Sequence, residues 1–164
     1  MHPKANLYLK FMNAYNALSA EFRKTELGYK RFDQESDELK QKLNLHFKGI
    51  RGLVDLPNRE TFGPIVADGL SLINKATAFY DKVKMFKGIY MDFMHFEMQY
   101  MADIKELNTK LNVNNVEAIA KKGELIVKDY KGRMQLQKQN LDALVKTLEK
   151  EKAELQQMYS QTLQ

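Results

Sequence analysis

The stretch from Phe62 to Leu111 constrains this chain more than any other. Counted in sevens, it places Phe62, Gly69, Ala76, Val83, Tyr90, Glu97, Ile104 and Leu111 on one row, with Ile65, Leu72, Phe79, Phe86, Phe93, Tyr100 and Leu107 three residues further on. An almost unbroken 3-4 apolar spacing of this length is what a helix needs to keep one seam against a partner. A second stripe, Met91, Met94, Met98 and Met101 with Phe96 nearby, runs beside that seam. The apolar arc is therefore too wide for a single neighbour, and it must be covered on at least two sides.

Two further seams read in the same way. One runs through Tyr8, Phe11, Tyr15, Leu18, Phe22, Tyr29, Phe32, Leu39, Leu43 and Ile50, interrupted by Ser36 and His46, each expected to be a hydrogen-bonded core group or a register device. The other runs through Val116, Ala120, Val127, Tyr130, Met134, Leu141, Leu144, Leu148, Leu155 and Met158. With only three prolines and eight glycines in 164 residues, little material is left for turns, so the elements are few and long.

The expected fold is all-α, an elongated antiparallel three-helix coiled-coil bundle over residues 1–164, with helices at about 5–49, 61–111 and 115–162. The first helix is expected to stop at Gly49 to Gly52. Leu53, Val54 and Leu56 then plug the end of the bundle, Asn58 or Thr61 caps the second helix, and Pro64 sits in its first turn. Asn114 and Glu117 resemble a capping box for the third helix. Glycines within the helices, among them Gly69, Gly123 and Gly132, cost about 0.8 to 1 kcal/mol each relative to alanine. Close helix approach or a bend is the expected return, with a neutral surface position the alternative for Gly28 and Gly132.

Few chemistries fit these residues. The absence of cysteine excludes disulfides and thiolate metal sites. His2, His46 and His95 have no spacing that puts two metal ligands on one helical face, so neither metal nor cofactor is expected. Carboxylate pairs such as Asp33/Asp37 and Asp103/Glu106 lie beside lysines and read as surface pairs, and an enzyme is not expected. No apolar run approaches the roughly 18 to 20 residues of a membrane span, and no signal-peptide core follows Met1, so the expected location is cytoplasmic.

The net charge of +5 favours an anionic partner weakly. Helix reversals near Asp55 and Val113 would set Arg23, Lys24, Lys30 and Arg31 alongside Lys75, Lys82, Lys84 and Lys87. Lys121, Lys122, Lys128, Lys131 and Arg133 gather toward the opposite tip. These lysines and Arg133 are the candidate lipid or anion contacts, set against the simpler reading of a solvated, salt-bridged surface.

Certain local stretches carry a family resemblance: Phe62-Gly63 opening the second helix, the run Phe96 to Leu111 leading to the tip, Ile119-Ala120-Lys121-Lys122, and Leu125-Ile126-Val127-Lys128-Asp129-Tyr130-Lys131-Gly132-Arg133. In these the chain resembles the BAR domains, crescent-shaped dimers that bind and bend membranes. It departs from their motif where Lys131 stands in place of a second acid and Arg133 falls one residue closer. The resemblance implies a homodimer with basic residues from the concave face and tip meeting anionic lipid, peripheral to a membrane. Lys75, Lys82, Lys84, Lys87 and the tip group are the positions that fit. The segment before Tyr8 is too short for the insertion helix that some members carry.

Homodimerisation would also cover Met91, Met94, Met98, Met101 and Phe96, for which an intramolecular core contact is the alternative. The expectation is a non-enzymatic membrane-surface scaffold. A coiled-coil interaction or assembly subunit that receives another protein's helix is the alternative, and nucleic-acid binding is not expected because no recognition motif accompanies the lysines.

Overall fold

The computed structural model describes residues 3–57 and 59–162, excluding the side chains of Val54 and Arg59. The chain is all-α, a three-helix bundle: α1 spans Pro3–Val54, α2 Gly63–Thr109 and α3 Val116–Thr162, with a short 3-10 turn at Arg59–Phe62. Contacts cluster into two compact units, Met1–Tyr29 with Ile89–Leu141 and Lys30–Gly88 with Asp142–Gln164, and every helix contributes to both.

In the first unit the seam aromatics meet across antiparallel α1 and α2. Phe22 stacks against Phe93 at 5.4 Å, and Tyr15 against Tyr100 at 5.3 Å. Tyr130 of α3 closes the cluster against Phe96 at 4.9 Å and Tyr100 at 5.1 Å. Tilted rings at these separations add about 0.5 to 1.5 kcal/mol per pair beyond the area they bury. The polar ends of the buried rings are satisfied: Tyr100 donates to the Tyr15 carbonyl at 3.2 Å and Tyr29 to the Lys138 carbonyl at 3.3 Å. Gly123 lets α3 approach α1, since a Cβ there would lie 2.3 Å from the Phe11 ring.

In the second unit Phe32 meets Phe86 edge-on at 5.0 Å, and Leu39, Leu43, Leu72, Phe79, Leu148 and Leu155 fill the core. Gly69 admits Ile50, whose Cγ2 would stand 2.7 Å from an added Cβ. Gly28, Gly88 and Gly132 have nothing within 4 Å of such an atom, so only two of the helical glycines serve close approach. Ser36 is buried, and its hydroxyl finds no partner among the described residues. His46 is half-buried, edge-on to Tyr159 at 5.3 Å and 3.3 Å from the Thr162 hydroxyl, while Phe47 takes the core position beside it.

The first reversal differs from the sequence expectation. Helix α1 runs through Gly49 and Gly52 to Val54, and the 3-10 turn adds residues before α2 begins. The reversal is thus centred close to residue 59, and facing residues on α1 and α2 are displaced by about one heptad. Leu56 falls in the open turn and stays exposed instead of plugging the bundle, with Leu53 half-buried. The expected Val54 plug and Asn58 cap lie outside the described residues. The second reversal is tied by asparagines: Asn112 Oδ1 accepts from the amides of Asn114 and Asn115 at 2.9 and 3.1 Å, and the Asn115 side-chain amide donates to the Lys110 carbonyl at 2.6 Å. The residue before α3 is therefore Asn115, and Asn114 with Glu117 forms no capping box; Glu117 pairs instead with Lys121.

Candidate functional site

The methionine row of α2 lies in the first unit. Successive turns of the same helix send Phe93 and Tyr100 fully inward, so residues about a third of a turn away look outward. Met91, Met98 and Met101 are 52%, 66% and 45% exposed, and Met94 is half-buried. Phe96, expected on the same face, is instead 7% exposed and stacked between Phe22 and Tyr130. Its place on the helix turns it toward α3, so it belongs to the chain's own core. Helices α1 and α3 thus hide the aromatic part of α2 and leave the methionines open.

Beside that row sits a pair of carboxylates missed by the sequence reading, although Glu97 stood on a core row of α2. Glu26 of α1 is pushed up to about 7 by burial, with a hydrogen bond and repulsion from Glu97 adding to the shift, against the opposing pull of Arg23. Glu26 therefore keeps its proton to higher pH than an ordinary carboxyl.

The candidate basic residues divide between the two units, Lys75, Lys82, Lys84 and Lys87 in the second and Lys121, Lys122, Lys128, Lys131 and Arg133 in the first, and five of the nine hold carboxylates. Lys87 bonds Asp37 at 3.0 Å and lies 3.5 Å from Asp33; the Asp37 contact foremost, with Asp33, raises its pKa. Lys75 pairs with Glu154 at 3.1 Å, and Lys82 with Glu151. Lys121 pairs with Glu117, and Arg133 with Asp129 while lying 5.5 Å from the Tyr130 ring centre. Among the described residues, Lys84, Lys122, Lys128 and Lys131 have no ion-pair partner. Arg133 flanks α2 through its contacts with Phe96 and Tyr130, whereas Lys128 and Lys131 line a furrow shared with α1. The one-heptad displacement explains the change for Lys87: the expected basic neighbours are replaced by Asp33 and Asp37.

The other polar groups drawn inward serve helix contacts. Tyr130 donates to the Asp103 carboxylate, and burial, reinforced by that carboxylate, pushes its phenol up to about 12. Burial likewise holds Tyr80 at about 12, with Lys40 5.1 Å from its ring centre. The phenol of Tyr100 is raised chiefly by burial.

Among the described residues, no helix is long and apolar enough to cross a membrane. No family model, no curated protein and no solved structure matches the chain.

Proposed function

We propose that this protein is a non-enzymatic helical assembly subunit, and that a second copy covers the methionine face of α2. One observation carries the reading: Met91, Met98 and Met101 stay largely exposed on a helix whose core-facing side is packed with fully buried aromatic rings. Long unbranched thioether side chains suit an adaptable helix contact, and an exposed apolar row on a folded domain favours a partner. The 3-4-3 spacing is the same read in either direction. An antiparallel copy therefore sets Met94 against the partner's Met98 and Met91 against the partner's Met101. Light scattering on the eluting protein tests this: wild type elutes above monomer mass, and Met98→Glu lowers that mass. An unchanged mass for the variant would remove the methionine face from the account.

A second reading, attachment of the assembly to an anionic membrane surface from the cytoplasmic side, is favoured by those candidate lysines that are exposed and hold no ion pair among the described residues, Lys84, Lys122, Lys128 and Lys131. It is the weaker reading because Lys75, Lys82, Lys87, Lys121 and Arg133 already hold carboxylates, which offset their attraction for headgroups. Co-sedimentation with phosphatidylserine vesicles tests it. Pelleting that falls with salt, and falls further in Lys122→Glu/Lys128→Glu, supports membrane attachment; protein left in the supernatant at low salt refutes it.

A further inference from the structure

A second face of the same unit has the pattern of a self-contact, and it uses none of the residues of the methionine face. Between α1 and α3 runs an open furrow of about 370 Å³, floored by Ala14, Ala17, Leu18 and Val127. Its rims carry Lys10 and Glu21 on α1, with Glu124, Lys128 and Lys131 on α3. Among the described residues, none of these five charges has an ion-pair partner. That sets them apart from the neighbouring pairs Glu117–Lys121 and Asp129–Arg133, which close within α3.

The order of the charges carries the argument. On α1 the row reads Lys10, Ala14, Ala17, Glu21, a 4-3-4 spacing whose midpoint lies between the two alanines. Reversing the direction of the row exchanges Lys10 with Glu21 and Ala14 with Ala17. On α3, Glu124 and Lys131 stand the same way about their own midpoint, with the signs opposite to those on α1. Helices α1 and α3 run parallel here, with Phe11 against Gly123, and that register puts the two midpoints at one level. A single two-fold axis across the furrow thus pairs the four outer charges, Lys10, Glu21, Glu124 and Lys131, while Lys128 lies next to the axis opposite its own copy, a like-charge contact that salt screens.

We propose that a second copy of this chain docks antiparallel on the α1/α3 furrow. The two-fold axis passes between Ala14 and Ala17, Lys10 faces the partner's Glu21, and Glu124 faces the partner's Lys131. Alanines let two helix axes approach to the short end of the usual range of about 8 to 10 Å. Each charge contact occurs twice in such an isologous interface, which makes its register specific and its strength sensitive to salt. Together with the methionine face, the furrow gives the subunit two separate self-contacts, and assembly then proceeds past the dimer.

Sedimentation velocity over a concentration series tests the proposal on the intact chain at low salt. Lys10→Glu alone, and Glu21→Lys alone, are expected to weaken one association step by about tenfold or more. The double variant Lys10→Glu/Glu21→Lys, in which the opposite charges face each other again, is expected to recover it. The three charges varied, Lys10, Glu21 and Glu124, sit at the rims, and circular dichroism establishes that each variant retains its helices. Single variants that sediment as wild type overturn the proposal. So does rescue of Lys10→Glu by Glu124→Lys instead of Glu21→Lys, since those two residues stand on facing rims of one furrow and their pairing does not belong to the antiparallel contact. Met98→Glu is run alongside: an effect of Met98→Glu without any effect of Lys10→Glu leaves the methionine face standing and removes the furrow, and the converse removes the methionine face alone.

Discussion

Lys152 of α3 donates to the Glu35 carboxylate of α1 at 2.7 Å although the lysine side chain is only 8% exposed. Its ammonium also lies 3.4 Å from Glu149 and 5.5 Å from the centre of the Phe32 ring. A cation so nearly buried in an apolar seam is tolerated because three groups replace its water. It also ties α3 to α1 in one register, since a slip by one turn would part it from Glu35 and leave it with Glu149 of its own helix.

Replacing Lys152 with methionine keeps the packing over Phe32 and removes the desolvated charge. Stability is expected to stay within about 1 kcal/mol of wild type. Glu35→Ala leaves the cation with Glu149 alone and is expected to cost about 1 to 2 kcal/mol. Urea melts of the two variants check the order. The Lys152 bond holds the Glu35 carboxyl below its usual range, with Arg31 adding to the effect. The contribution of Glu35 is therefore present above the unfolded carboxylate range and lost as pH falls through the folded value, so the deficit of Glu35→Ala shrinks in acid.

Glu26 behaves oppositely. Its folded pKa is raised from 4.5 to about 7, so the folded state holds more protons than the unfolded state between those values, and stability falls as pH rises through that window. Glu26→Gln removes the repulsion from Glu97. The variant is expected to melt above wild type at about pH 8, with the advantage shrinking toward about pH 5. Parallel melting curves check this, and an advantage that does not change with pH contradicts it.

Two glycines on one helix separate propensity from packing. Gly132 has nothing within 4 Å of an added Cβ, so Gly132→Ala is expected to stabilise by about 0.5 to 1 kcal/mol. At Gly123 the same atom would sit 2.3 Å from the Phe11 ring. Overpacking of about 1 to 3 kcal/mol there exceeds the propensity gain, so Gly123→Ala is expected to be destabilising. Chemical denaturation of the two variants measures both signs.

The three helices were legible because their apolar rows repeat every three or four residues, and the buried set Phe22, Phe32, Phe79, Phe86, Phe93 and Tyr100 lies on those rows. The pairing of α1 with α2 was not legible. A displacement of one heptad returns apolar rows to apolar rows, so only the charges record it, and Lys87 between Asp33 and Asp37 is that record. Phe96 was misplaced for a related reason: a residue next to both the seam and the methionine row is assigned by how far α3 wraps around α2, which spacing does not encode. The furrow was readable on α1 as Lys10, Ala14, Ala17 and Glu21, but its counterpart on α3 needs the Phe11–Gly123 contact to fix the level.

The central claim is that the methionine row of α2 is a contact between copies. Lys10→Glu, which silences the α1/α3 furrow if it acts, isolates that contact, and sedimentation equilibrium of this variant with and without Met98→Glu measures it. The account predicts a dimer for Lys10→Glu and a helical monomer once Met98→Glu is added. A Lys10→Glu protein that remains strictly monomeric up to about 100 µM, or one whose dimer ignores Met98→Glu, would contradict it.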